Sequence, residues 1–107
     1  LALDIRVMAY EPGALEATLA AAAGDNPELF AELRLAFIDS LARQIDLLRR
    51  SRCDGNWQFA ALRLKGLAAS FHADAVMALA DEALDAAPGD PVVIRRLHAY
   101  LAEISAA

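Results

Sequence analysis

Between Phe30 and Leu48 apolar side chains recur in steps of three and four residues, at Phe30, Leu33, Phe37, Leu41, Ile45 and Leu48. Glu32, Asp39, Arg43, Asp46 and Arg50 fall on the opposite side. That spacing keeps one stripe of an α-helix apolar over about six turns. Asn26-Pro27-Glu28 supplies the start: a capping side chain, a proline at the first helical position and an acid in the first turn. The pattern predicts one long scaffold helix.

The flanking segments are shorter. Residues 1–10 alternate weakly, with Leu1, Leu3, Ile5 and Val7 on one side, and leave a strand or an extended arm equally open. Pro12-Gly13 opens a helix expected over Ala14–Ala23, which Gly24 ends. After the scaffold helix the break Cys53-Asp54-Gly55-Asn56 is short, so the next helix should return antiparallel. It is expected from about Asn56 to Phe71, burying Trp57, Ala60, Ala61, Leu64, Leu67, Ala68 and Phe71. A fourth helix covers about Ala73–Ala86, with Val76, Met77, Leu79, Ala80, Ala83 and Leu84 turned inward. Pro88-Gly89-Asp90-Pro91 reads as a turn, a cap and an N1 proline. The last helix then runs to about Ile104 on Val93, Ile94, Leu97, Leu101 and Ile104. The expected fold is all-α: an antiparallel up-and-down four-helix bundle over residues 13–107, with a short additional N-terminal helix and an arm at 1–12.

Composition strengthens this picture. The chain has 107 residues, enough for one domain, and 26 of them are alanine, which favours closely packed helices over a sheet. The formal net charge is −5, and the only basic cluster, Arg49, Arg50 and Arg52, sits where cations complement a helix dipole. No nucleic-acid partner is expected. Cys53 is the only cysteine, so it forms no internal disulfide and no thiolate metal cluster. Charges interrupt every apolar run before it reaches a membrane-spanning length, and the opening residues lack the basic region of a signal peptide. The expectation is a cytoplasmic protein with no membrane partner, no cofactor and no metal.

One face of the third helix does not read as core. Opposite the Leu64 stripe, at about 100° per residue, gather Gln58, Leu62, Lys65, Gly66 and Ala69. Leu62 cannot share a side with Leu64, two residues away. Gly66 costs about 1 kcal/mol relative to alanine inside a helix, so something should approach the backbone there. Two readings stay open: packing of another helix on Gly66 with Leu62 buried, or a contact surface for a second protein.

The segment Ala61-Leu62-Arg63-Leu64-Lys65-Gly66-Leu67-Ala68-Ala69-Ser70-Phe71-His72-Ala73 resembles the signature of histidine-containing phosphotransfer (HPt) domains, His-x-Leu-Lys-Gly-Ser followed by small residues, an apolar residue, Gly and Ala. Leu64, Lys65 and Gly66 match the Leu-Lys-Gly core, and Phe71 and Ala73 the later positions. Asn26-Pro27-Glu28-Leu29-Phe30 resembles the start of the family's long helix, and Asp54-Gly55-Asn56-Trp57 its turn before the histidine helix. The likeness spans roughly residues 25–104. It departs at two positions: Leu62 stands where the family has its phosphorylated histidine, and His72 replaces the later glycine. A leucine has no lone pair with which to attack a phosphoryl group. The resemblance therefore implies a domain with no catalytic residue. It would bind a receiver domain of a response regulator or hybrid histidine kinase through Gln58, Leu62, Lys65, Gly66 and Ala69, as an adaptor or competitor. Two alternatives are a working phosphotransferase using His72 or His98, and a self-associating structural bundle. His72 lies ten residues from Leu62, about 15 Å along a helix, and is expected to be a capping residue; His98 is expected at a core boundary. Asp81, Glu82 and Asp85 read as solvated surface charge.

Overall fold

The computed structural model describes residues 13–106, which form five helices and no strand. They are α1 (Gly13–Ala23), α2 (Pro27–Arg50), α3 (Asp54–Phe71), α4 (Asp74–Asp85) and α5 (Pro91–Ala106). The arm expected over 1–12 lies outside the described residues.

Helix α2 forms as its sequence dictates. The Asn26 side chain accepts from the Leu29 amide at 3.0 Å, Pro27 takes the first helical position, and Phe37, Leu41, Ile45 and Leu48 are buried. Phe30 and Leu33 lie half-buried at the edge of the core. Near its end Asp46 bonds Arg49 at 2.7 Å and Arg50 at 2.9 Å. The hydrogen bond from Arg49, with the charges of both arginines, holds the Asp46 carboxyl below the usual aspartate range.

The turn after α2 is tighter than expected, because α3 starts at Asp54 and leaves Ser51, Arg52 and Cys53 as the joint. Ser51 is the buried pivot. Its amide bonds the Leu48 carbonyl at 3.0 Å, and its hydroxyl faces the Leu47 and Asn56 carbonyls at 2.8 and 3.3 Å. These bonds satisfy the Leu47 and Leu48 carbonyls among the orphans at the end of α2 and hold the start of α3 beside them.

One hydrophobic cluster joins all five helices. Helix α2 borders α1, α3 and α5, while α4 borders α3 and α5. The contact between α3 and α4 is the most extensive, and both helices bury alanines fully, Ala60, Ala61 and Ala68 on α3 and Ala80 and Ala83 on α4. Alanine allows helix axes to come close. Trp57 fills the start of that seam, and its indole Nε1 donates to the Ala83 carbonyl at 2.7 Å, so the first turn of α3 meets the last turn of α4. The Arg34 guanidinium likewise donates to the Ile104 carbonyl, joining the first half of α2 to the last turn of α5. Nearby, burial above all, together with Glu103 and Glu16, raises the Tyr100 phenol above its ordinary value against the opposing charge of Arg34.

Helix α3 ends on His72, the one non-glycine residue with positive φ (56°) among the described residues. The Ala73 amide reaches back to the Ala68 carbonyl at 2.8 Å and the His72 amide to the Ala69 carbonyl at 3.3 Å. This is a Schellman closure, which places a left-handed residue where glycine fits best. Here a histidine bears that conformation, and its Nδ1 lies 3.0 Å from the Thr18 hydroxyl of α1. The left-handed backbone costs an L-residue about 1 kcal/mol or more, and a hydrogen bond exposed to water returns only part of that. His72→Gly is therefore expected to raise the denaturation midpoint slightly, by up to about 1 kcal/mol in stability. A clear fall would show that the Thr18 contact dominates.

Candidate partner-binding face

Helix α3 turns Trp57, Ala60, Ala61, Leu64 and Ala68 into the core. The opposite side is left open to solvent. Leu62 is 51% exposed and Phe59 59%, and Gln58, Gly66 and Ala69 are exposed as well. The five positions singled out from the sequence thus share one accessible helix face, with Lys65 at its edge, half-buried. The reading in which Leu62 is buried and another helix packs on Gly66 is overturned: a β-carbon added at Gly66 would meet nothing within 4 Å.

No element of the described chain demands the glycine. Gly66→Ala is accordingly expected to stabilise the domain by about 0.5–1 kcal/mol, measured by chemical denaturation. A destabilised variant would show that Gly66 is needed by the fold itself.

Lys65 is anchored: its Nζ lies 2.8 Å from the Asp81 carboxylate on α4. Asp81 and Asp85 are exposed, as surface charge should be, and the structure adds ion pairs: besides Asp81 with Lys65, Glu82 holds the Arg96 guanidinium of α5 at 2.5 Å. Two of the three acids tie α4 to its neighbours, because the closeness of α3, α4 and α5 brings cations within reach; Asp85 stays exposed.

Phe59 was absent from the residues expected at the face. It sits three positions before Leu62, close enough to share its side of the helix. The signal in the sequence was its exclusion from the Trp57–Ala60–Leu64 stripe. An aromatic ring off the buried stripe has to face water or a partner. The Arg63 guanidinium lies over this ring, 5.7 Å from its centroid.

Neither histidine belongs to the face. His72 closes the far end of α3 and contacts Thr18 of α1, and His98 is exposed on α5 rather than at a core boundary. Cys53 is an exposed thiol at the start of α3. No group of three His, Cys, Asp or Glu side chains is close enough to hold a metal ion among the described residues, and none of their helices is long and apolar enough to cross a membrane. A shallow cleft at the α1–α2 turn is lined by Ala20, Gly24, Asp25, Asn26, Pro27 and Phe30, remote from the α3 face in sequence and composition.

The face thus gathers two large exposed apolar side chains, a bare stretch of backbone at Gly66, and cations at its margins. No family model matches this chain, and no curated protein or solved structure matches it.

Proposed function

We propose that this chain is an HPt-like signalling domain of the phosphorelay type that lacks the phosphorylatable histidine. It would bind a receiver domain, of a response regulator or a hybrid histidine kinase, as a non-catalytic adaptor or competitor. The observation that carries the reading is the half-exposed Leu62, set among Gln58, Phe59, Gly66 and Ala69 on a helix whose Leu-Lys-Gly sequence resembles the HPt signature. In such a domain the exposed imidazole at this position takes the phosphoryl group. With an alkyl side chain there, docking can persist without transfer.

The proposed architecture is an antiparallel up-and-down four-helix bundle of α2, α3, α4 and α5, with α1 laid against α2 and α3. The bonds between opposite helix ends, Trp57 to Ala83 and Arg34 to Ile104, support it, as does the succession of neighbours from α2 through α5 and back to α2. A cytoplasmic location is proposed with it.

The test is direct binding to isolated receiver domains, by pull-down and then titration. Leu62→Asp puts a charge at the centre of the apolar patch, where it would have to be desolvated on docking. It is expected to weaken binding by tenfold or more, on the order of what the loss of a central anchor costs, while the exposed position leaves the fold intact. Binding unchanged by this substitution would remove the proposed face. Phosphoryl label that accumulates on the unaltered chain and disappears in His72→Ala would instead establish a working phosphotransferase.

A further inference from the structure

The pairing of Phe59 with Arg63 goes beyond what the docking role requires. From Asn56 to Phe71, α3 carries two charged side chains, Arg63 and Lys65, both cationic, although the whole chain has a net charge of −5. Lys65 has its carboxylate in Asp81. Arg63 has none within ion-pairing distance among the described residues; it lies over the Phe59 ring instead. An aromatic face restrains a guanidinium without occupying its in-plane donors, which remain directed outward. Phe59 is itself 59% exposed, so neither member of the pair is there to fill the core. A restrained cation beside two exposed apolar side chains has already lost part of the freedom that binding would otherwise remove.

From this we propose that Phe59, Leu62 and Arg63 form a composite anchor for a partner protein whose surface offers an apolar socket edged by an aspartate or glutamate. Phe59 and Leu62 enter the socket, and the planar guanidinium takes the carboxylate, in two parallel hydrogen bonds where the geometry permits. Arginine and large aromatic side chains are the types that dominate interface energetics when they cluster. Charge decides between this occupant and a second copy of the chain. A two-fold contact centred near Arg63 would bring its guanidinium against that of its symmetry mate, like charge against like, whereas Lys65 is already paired with Asp81. An acidic surface meets the Arg63 cation favourably.

This inference rests on the adaptor reading, and one experiment separates the two. Dissociation constants of the unaltered domain, Phe59→Ala, Arg63→Lys and Arg63→Glu are measured against a panel of isolated receiver domains at low and high salt, with helical content checked by circular dichroism. The expected results are a loss of about tenfold or more for Arg63→Glu and for Phe59→Ala, and a smaller loss for Arg63→Lys, which keeps the charge but not the fork. Binding of the unaltered domain should weaken as salt rises. Receiver binding that depends on Leu62 but changes less than about twofold in Arg63→Glu would overturn the anchor and leave the adaptor reading standing. If no receiver binds at all, that reading falls and this partner assignment with it. A dimer that tightens in Arg63→Glu, seen by sedimentation, would assign the face to a second copy.

Discussion

On the adaptor reading proposed above, Leu62→His is expected to give the domain the ability to accept a phosphoryl group. Incubated with a phosphorylated receiver domain, the variant should acquire acid-labile label at position 62, where the unaltered chain acquires none. The step needs a nucleophile, room and charge compensation. An imidazole nitrogen would attack phosphorus, the bond to the receiver's aspartate would break, and the aspartate would leave as a carboxylate. Position 62 is half-exposed, so an imidazole there is within reach of a docked protein. Gly66 stands one turn further on, with open space where its β-carbon would be, leaving room for the phosphoryl oxygens. Lys65 is the adjacent cation, and removing it in the Leu62→His background should slow the transfer. Failure to label, in a variant that still binds receivers, would mean that this face lacks more than its nucleophile and would weaken the proposed kinship considerably.

Trp57→Ala is expected to have the largest effect on stability. Trp57 is 2% exposed and fills the seam between α3 and α4, where its indole donates at 2.7 Å to the Ala83 carbonyl. Truncation removes a large buried surface, opens a cavity and takes away one of the two donors to the Ala83 carbonyl, the Ala86 amide remaining at 3.1 Å. Large aromatic to alanine changes in a core cost about 3–5 kcal/mol, against a total of about 5–15 kcal/mol for a typical domain. A protein of this size loses roughly 4 °C or more of melting temperature per kcal/mol. Thermal denaturation followed by circular dichroism should therefore show a fall on the order of 15 °C, or no cooperative transition at all. Trp57→Phe should lie between, since it keeps most of the packing but not the hydrogen bond. A fall of only a few degrees in the alanine variant would mean that the seam relaxes around the loss.

The helices were legible because their signals are local. Asn26-Pro27 marks the start of α2, the three- and four-residue spacing of Phe37, Leu41, Ile45 and Leu48 marks its buried face, and Asp90-Pro91 marks the start of α5, where Asp90 caps the Val92 amide at 2.8 Å. That Leu62 faces away from Leu64 was legible for the same reason, since positions two apart on a helix cannot share a side; that it is exposed rather than covered by another helix was not. Contacts between helices were not legible. Nothing near Asp81 in sequence announces Lys65, sixteen positions away, and nothing near His72 announces Thr18. The start of α3 was placed two residues late because Asp54-Gly55 reads as turn chemistry; in the fold these residues take up the first helical turn, just beyond the Ser51 pivot. Phe59 is a different case. The helical projection that gathers Leu62 and Gly66 opposite Leu64 places the Phe59 ring there too, at about 100° per residue, yet the ring was left off the face.

The Lys65–Asp81 contact gives α4 a say in what α3 can hold. Any visitor that draws the ammonium away strands a carboxylate on the neighbouring helix, so the lysine changes hands rather than being given freely. Ion pairs open to water are worth at most about 1 kcal/mol, so the toll is a factor of about five in affinity. Asp81 on α4 therefore sets a small cost, of no more than that factor, on any contact that takes the Lys65 ammonium away.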